Sequence, residues 1–197
     1  SDSGDVKVHA LKLLNLSSKG ITSIADTAQA FLVDGDAVST NYSPRFTKDG
    51  AYLYFGSAEK PVEESKDTLI ESEKVKLDLW HYQEQRLQPE QLKQLKRDQR
   101  KTTLYAYDIA SSNAVQLSND TLDMRSKFDL KGEYLFASSN ETYAHTYNWA
   151  VPRPEDHYRV SIKTGEVELL RLGSEFGGQL SPSGAYYTYY DTDKHNH

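Results

Sequence analysis

Three stretches of the sequence are variants of one ten-residue pattern. They read FTKDGAYLYF from Phe46, FDLKGEYLFA from Phe128 and LSPSGAYYTY from Leu180. In each, an apolar residue precedes a polar turn with glycine at one offset, and an alternating tyrosine-rich run follows, which is typical of two strands joined by a tight turn. Aromatic side chains suit the half-buried face of a sheet. The repetition therefore predicts an all-β fold built from recurring hairpins.

A second repeat alternates with the first. It reads LLNLSSKGITSI from Leu13, AYDIASSNAVQL from Ala106 and RVSIKTGEVELL from Arg159, each a strand, a polar turn and a strand. We expect the left-handed turn positions to be filled by residues that tolerate them, namely Gly20, Asn113 and Gly165. One hairpin of each type gives four antiparallel strands, which is the unit of a propeller blade.

The order of the repeats predicts a partial β-propeller of four-stranded antiparallel blades. Chain 1–197 is interpreted as a fragment of one propeller domain, with blades at about 43–118 and 126–171, half blades at about 6–26 and 178–191, and an insertion at 59–101. Closed propellers have about four to eight blades, so the end faces should be uncovered. Uncovered faces and open strand edges predict self-association.

The insertion carries its own local signals. Alternation of Val75, Leu77 and Leu79 predicts a strand that leads into Trp80. After it, LQPEQLKQLKRDQRK predicts one short helix, because Pro89 suits a first helical turn. Basic residues complement the dipole at the helix end: Lys93, Lys96, Arg97 and Arg100. Its apolar stripe consists of Leu92 and Leu95 alone, so the helix should lie on the surface.

The segment from Lys76 to Ile109 resembles the propeller domain of prolyl oligopeptidase-type serine peptidases, in particular the bacterial dipeptidyl-aminopeptidase-like group. The residues that carry this resemblance are Trp80, Tyr82, Leu87, Gln88, Pro89, Gln91 and Leu92. The hairpins around Asp49, Gly50 and Gly184 also look like the repeats of TolB-type propellers. The first resemblance implies an α/β-hydrolase catalytic domain in the same parent chain, a peptide substrate, and export to a bacterial periplasm.

The chain itself carries no catalytic residue that the resemblance would supply. In that family the serine lies in a Gly-x-Ser-x-Gly elbow, and no stretch of this sequence reads so. We therefore expect a non-catalytic propeller that gates and positions peptide substrates for an α/β-hydrolase domain. The alternative is a TolB-like or glycan- or protein-binding propeller with no peptidase domain. A third interpretation, a propeller enzyme with chemistry at the central channel, requires clustered carboxylates, histidine or arginine on inner strands, and no such cluster is evident.

The connector from Asn140 to Tyr158 is the strongest candidate for a binding surface. It is longer than a hairpin needs and rich in aromatic residues, and long aromatic loops often line binding sites. The candidate contacts to a substrate or partner are Trp149, Arg153, His145 and Tyr143. The competing interpretation is a loop that packs its own aromatic rings against the blade.

Other tempting residues have simpler interpretations. Glu63 and Glu64 lie in a charged loop and are expected to be solvated, and Trp80 and Tyr82 are expected to cover the core at a strand end. The C-terminal tail offers four possible metal ligands, Asp191, Asp193, His195 and His197. An exposed terminus favours adventitious binding, so neither a metal site nor a cofactor is predicted.

Charge and composition narrow the classes of partner. The net charge is −6 with both signs interspersed, which predicts neither nucleic-acid binding nor attachment to an anionic membrane. The sequence has no cysteine, so disulfides and thiolate chemistry are excluded.

Overall fold

The computed structural model describes residues 8–26, 31–61, 86–125, 133–146, 149 and 151–191. The fold is all-β, with two complete antiparallel sheets between two single hairpins, which makes it a partial β-propeller. The first hairpin consists of β1 (Leu11–Leu14) and β2 (Ile21–Ala25). The last consists of β12 (Gln179–Leu180) and β13 (Tyr187–Thr188).

The first complete sheet is four strands wide, although five strands build it. Its strands are β3 (Asp36–Val38), β4 (Arg45–Phe46), β5 (Tyr52–Glu59), β6 (Thr103–Asp108) and β7 (Asn113–Gln116). Strands β3 and β4 pair with successive parts of β5, on the edge opposite β6. The sequence repeats predicted β4 to β7, whereas β3 lies outside both repeats.

The second complete sheet repeats the order of the first. It consists of β8 (Asp123–Met124), β9 (Tyr134–Ser139), β10 (Glu155–Ser161) and β11 (Val167–Ser174), paired in that order. The predicted helix is also present: α1 (Gln88–Asp98) begins with proline in its first turn and buries no residue. Among the described residues, no helix has the length and apolar character needed to cross a bilayer.

The turn between β4 and β5 shows why the first repeat recurs. Thr47 N–H donates to the Tyr52 carbonyl at 3.0 Å, Gly50 N–H donates to the Thr47 carbonyl at 2.9 Å, and Gly50 has φ +70°. The Thr47 hydroxyl also accepts the Tyr52 N–H, and the Asp49 carboxylate accepts the Ala51 N–H. The side-chain oxygens of Thr47 and Asp49 therefore accept the two backbone N–H groups that follow Gly50.

The turn between β12 and β13 uses the same bonds with different residues. Ser181 N–H donates to the Tyr186 carbonyl at 2.8 Å, and Gly184 N–H donates to the Ser181 carbonyl at 2.9 Å. The Ser181 hydroxyl accepts the Tyr186 N–H, and the Ser183 hydroxyl accepts the Ala185 N–H. These bonds show that the two turns have the same geometry.

The register across the two turns is equivalent as well. Phe46 lies opposite Leu53, and Leu180 lies opposite Tyr187, seven residues further along in each case. Phe128, the third member of the repeat, lies outside the described residues, as do the predicted strand from Val75 and the residues Glu63, Glu64, Trp80 and Tyr82.

The second repeat ends its first strand with a side chain that caps the turn. The Asn15 and Asp108 side-chain oxygens each accept two backbone N–H groups from the turn, and the Ser161 hydroxyl accepts one. Short polar side chains favour such local bonds. The three hairpins therefore share one turn geometry despite their different sequences.

The residues that take the left-handed conformation in these turns differ from the prediction. They are Lys19 (φ 56°), Ser112 (φ 56°) and Gly165 (φ 73°), each four residues beyond the capping residue. The prediction was correct for Gly165 and wrong for Gly20 and Asn113, which lie one position too late. The capping bonds determine which residue takes a positive φ. Lys19 and Ser112 adopt this conformation although it is less favourable for a residue with a side chain than for glycine.

Two buried cores lie between successive sheets. One packs the first hairpin on the first complete sheet and contains Ile24, Ala25, Leu53, Phe55, Tyr105, Tyr107 and Ala114. The other packs the two complete sheets together and contains Tyr54, Leu104, Ala106, Leu117, Leu122, Leu135, Ala137, Val160 and Ile162. Alternate residues of β5, such as Leu53 and Tyr54, belong to different cores, which follows from the two-residue period of a strand. The sheets are therefore stacked face to face along the chain order.

Candidate functional site at the connector rim

Both complete sheets make their longest connection at the same place. The chain leaves β5 for β6 through residues 60–102 and leaves β9 for β10 through residues 140–154. Since β5 and β9 occupy equivalent positions and run in the same direction, both connections begin at the same ends of the strands in the stack. We call the described parts of these two connections the connector rim. Long connections on a rigid β scaffold are where binding residues commonly lie.

Tyr143 anchors the second connection to the sheet. It lies in a 3₁₀ helix, Glu141–Thr146, and its hydroxyl donates to Asp156 Oδ1 at 2.7 Å. Burial, followed by the hydrogen bond to the Asp156 carboxylate, raises the pKa of Tyr143 to about 12. The phenol therefore stays protonated and serves as a hydrogen-bond donor that holds the connector in place.

The other three candidate residues lie on the outside of the same connector. The Trp149 side chain is 72% exposed, and its backbone N–H donates to the Thr146 carbonyl at 3.0 Å. His145 and Arg153 are also exposed. The structure thus separates the predicted group into one inward anchor, Tyr143, and three surface residues. Tyr147, from the same aromatic segment, lies outside the described residues.

Asp156 is a buried carboxylate that the sequence did not single out. It is 4% exposed, and its Oδ1 accepts the Gly173 backbone N–H at 2.9 Å in addition to the Tyr143 hydroxyl. These two donors compensate the loss of water around the charge. Asp156 therefore joins the connector, β10 and β11 at the rim.

His157, the next residue of β10, faces the last hairpin. It is 2% exposed, its Nδ1 is hydrogen-bonded to the Tyr187 hydroxyl, and its ring meets the Phe136 ring edge-on at 5.1 Å. Burial lowers the pKa of His157, with the Arg125 charge adding to the effect. A neutral imidazole held between two aromatic rings is a packing element. Alternation along EDHYRVS places His157 on the face of the polar Arg159 and Ser161, so this pattern did not predict its burial.

An arginine closes the inner part of the rim. Arg125, directly after β8, donates through Nε to the Ser138 hydroxyl at 2.9 Å and through Nη2 to the Glu155 carboxylate at 3.0 Å. Ser138 is buried, whereas the ion pair with Glu155 is partly exposed. Through these two bonds, Arg125 connects the end of β8 to β9 and to the beginning of β10, next to the connector.

A polar cleft of about 1150 Å³ opens beside the first connection. Its wall includes Asp36, whose Oδ2 accepts the hydroxyl proton of the fully buried Ser57 at 2.5 Å. On the other side, Lys101 donates to the Asp120 carbonyl and lies 3.7 Å from the Asp123 carboxylate. The titratable residues that line the cleft are His9, Asp34, Asp36, Glu59, Lys60, Asp98, Lys101 and Asp120.

The chemistry of the cleft suits binding. The Ser57 hydroxyl is committed to a carboxylate, and burial raises the pKa of the neighbouring Tyr105 phenol. Within the described segments, no group of three or more histidine, aspartate or glutamate side chains is placed to hold a metal ion. Groups of both charges around a cleft of this size can hold a polar ligand that carries charges of its own.

Comparison with solved structures gives matches, one of which is described below. No protein-family model matches the chain, and no curated protein sequence matches it. The chain is similar to the crystal structure of TolB from Acinetobacter baumannii, with a TM-score of 0.33 and 16% identity, over 95% of this chain and 33% of that one. The chain therefore spans about a third of the length of the TolB chain that it matches.

Proposed function

We propose that the chain is the non-catalytic propeller portion of a prolyl oligopeptidase-type serine peptidase, and that it gates and positions peptide substrates for an α/β-hydrolase domain. The observation that carries the proposal is helix α1. It begins at the Leu-Gln-Pro sequence on which the resemblance depends, and it lies at the connector rim without burying a residue. An isolated helix of 11 residues gains little stability by itself, so its role is sought in contacts outside the propeller.

The connector rim offers the surfaces that such a role needs. The polar cleft presents carboxylates and amines that match the main chain and the charged ends of a peptide. The exposed Trp149 ring provides an apolar contact in the second connection. A peptide held at these places would be oriented before it reached a catalytic serine elsewhere in the parent protein.

The test compares this chain with a longer protein that continues beyond His197. We expect the residues that follow to contain a Gly-x-Ser-x-Gly elbow, and the longer protein to cleave fluorogenic dipeptide and proline-containing substrates. The 197-residue chain should release no product. A continuation that consists only of further blades, or a longer protein with no cleavage, would contradict the proposal.

A tryptophan variant of the longer protein tests the positioning role. Trp149→Ala should raise KM for peptides of several residues and leave kcat for a dipeptide substrate unchanged, because only the longer peptide reaches the connector. The control is Leu16→Ala, since Leu16 is also strongly exposed but lies in a turn at the opposite edge of the sheets. Equal effects of the two variants would argue against a positioning surface at the connector.

A binding propeller without a peptidase domain is the second candidate. The combination of an exposed tryptophan and a polar cleft favours it, because sugars bind by stacking on aromatic rings and hydrogen bonding to polar side chains. Titration of the isolated chain with oligosaccharides, followed by tryptophan fluorescence, would support this candidate if Trp149→Ala abolished a saturable change.

A further inference from the structure

The two ends of the chain carry complementary halves of one blade. Hairpin β12–β13 has the turn bonds of β4–β5, so its strands occupy the first two positions of a sheet. Hairpin β1–β2 has the capped turn of β6–β7 and β10–β11, so its strands occupy the third and fourth positions. Within the described residues, β13 pairs only with β12, and β1 only with β2. Each end therefore lacks the pair of strands that the other end carries.

Aromatic side chains on the last hairpin are uncovered at positions that are covered in the complete sheets. Tyr186 is equivalent to Tyr52 and Tyr134, since each lies two residues after the glycine of the repeated sequence. Those two residues are partly buried, whereas Tyr186 is 76% exposed and Tyr190 is 74% exposed. The segment 185–190 contains no charged residue that would protect the open edge of β13 from pairing.

The first hairpin has the corresponding uncovered residues. Leu14 is equivalent to Tyr107, since each directly precedes the residue that caps its turn. Tyr107 is 4% exposed, but Leu14 is 52% exposed, and Ile21, opposite Leu14, is 68% exposed. Tyr107 is covered by the preceding hairpin, so the exposed fraction of Leu14 marks a sheet face that a neighbouring sheet would cover.

We propose that β13 of one copy pairs antiparallel with β1 of a second copy, so that the strands β12, β13, β1 and β2 complete a four-stranded blade between two chains. This proposal does not depend on the peptidase proposal. The strand register of both complete sheets predicts the register of the junction. Tyr52 lies opposite Asp108, and Tyr134 opposite Ser161. In the shared blade, the equivalent partners place Tyr186 of one copy opposite the second copy's Asn15.

The same alignment places Thr188 opposite Leu13 of the second copy. The described residues of each copy contribute two complete sheets and two half sheets, the equivalent of three blades. Two copies joined at both junctions would make a closed ring of six blades, which is within the usual range of about four to eight. A head-to-tail contact of this kind closes a ring and leaves no half blade incomplete.

Cysteine cross-linking tests the register, because the native chain contains no cysteine. A Thr188→Cys chain mixed with a Leu13→Cys chain should form a disulfide-linked heterodimer under mild oxidation. The equivalent pair in the first sheet, Tyr54 and Ala106, lies directly opposite in adjacent strands, where the Cβ distance suits a disulfide. The control is Thr188→Cys mixed with Ile21→Cys, which places the second thiol on β2, one strand further away, and should yield no heterodimer.

A proline variant tests the strand edge itself. Asn15 N–H donates across its hairpin to the Gly20 carbonyl, so the N–H of the adjacent Leu14 faces the open edge of β1. Leu14→Pro therefore keeps the β1–β2 hairpin but removes a donor that the junction needs. In analytical ultracentrifugation, the native chain should form a dimer as its concentration rises, and Leu14→Pro should weaken this association at least tenfold.

The matched control is Val167→Pro. Ser161 N–H donates to the Glu166 carbonyl, so the N–H of Val167 faces the outer edge of β11, and Val167 is 47% exposed. This variant should dimerise like the native chain, and circular dichroism should show that both variants are folded. The proposal is overturned if the native chain stays monomeric at high concentration, if Thr188→Cys chains cross-link with each other, or if both proline variants weaken association equally.

Discussion

At the scale of single residues, the fold depends on a few turn positions where backbone conformation and neighbouring atoms act together. Gly165 has φ 73°, and a Cβ placed on it would lie 2.6 Å from the Gln116 carbonyl oxygen of the adjacent sheet. Gly50 has nearly the same φ, 70°, but a Cβ there would meet nothing within 4 Å. A side chain at Gly50 would therefore cost only the strain of a left-handed backbone, whereas a side chain at Gly165 would also clash with Gln116.

Alanine substitution at the two glycines should have unequal effects. Gly50→Ala should lower the free energy of unfolding by about 1 kcal/mol, because an L-residue is strained in this conformation. Gly165→Ala should lower it by about 3 kcal/mol, because the two sheets must also move apart. Urea denaturation measures both values, and equal losses would show that the contact with Gln116 contributes nothing.

The buried histidine should make stability depend on pH. Burial lowers the pKa of His157 below that of the unfolded chain, about 6.5, so the unfolded state takes up a proton first as the pH falls. The stability that the neutral imidazole contributes is complete above pH about 6.5 and decreases as the pH falls towards the pKa of the folded state. Thermal unfolding of native protein and His157→Gln between pH 7.5 and 5.5 should show a steeper decline for the native protein. Parallel curves would contradict this reading.

At the scale of elements, helix α1 and the strands differ in what stabilises them. The helix is specified by local signals: proline in the first turn, Glu90 near its beginning, and Lys96 and Arg97 near its end. No residue of α1 is buried, so the sheets gain little from it. The strands, in contrast, are short and depend on the cores between sheets.

Disruption of the helix should leave the sheets intact. Lys93→Gly, in the middle of α1, should reduce the helical signal in far-ultraviolet circular dichroism, since glycine costs about 1 kcal/mol in a helix interior. The midpoint of thermal unfolding should stay unchanged. Leu104→Ala is the contrasting variant, because Leu104 is 4% exposed in the core between the complete sheets, and its loss should cost about 3 kcal/mol. A comparable loss of stability from both changes would show that α1 packs on the propeller.

At the scale of the whole molecule, stability is concentrated in the middle of the stack. The two complete sheets pack on each other, the first also packs on β1–β2, and the second contacts β12–β13 through the rings of His157, Phe136 and Tyr187. Both end hairpins expose large apolar side chains, for example Leu14, Ile21, Tyr186 and Tyr190. The end hairpins should therefore open more readily than the centre.

Hydrogen exchange should reveal this gradient. In dilute solution, the amides of β5, β6, β9 and β10 should exchange at least tenfold more slowly than those of β12 and β13, because opening the centre disrupts two cores. If the junction between two copies forms, protection of β13 should rise with protein concentration while the centre stays unchanged. Uniform protection across all four sheets in dilute solution would contradict the gradient.

The sequence alone determined the hairpins, their alternation and helix α1, because these depend on turn chemistry and on side-chain periods that act over a few residues. Only the tertiary structure decided that β3 extends the edge of β5, and that Tyr143 points inward to Asp156 while Trp149 faces solvent. Those outcomes depend on partners distant along the chain and on which backbone donors remain unsatisfied after the sheets have stacked. Local pattern carries no information about either.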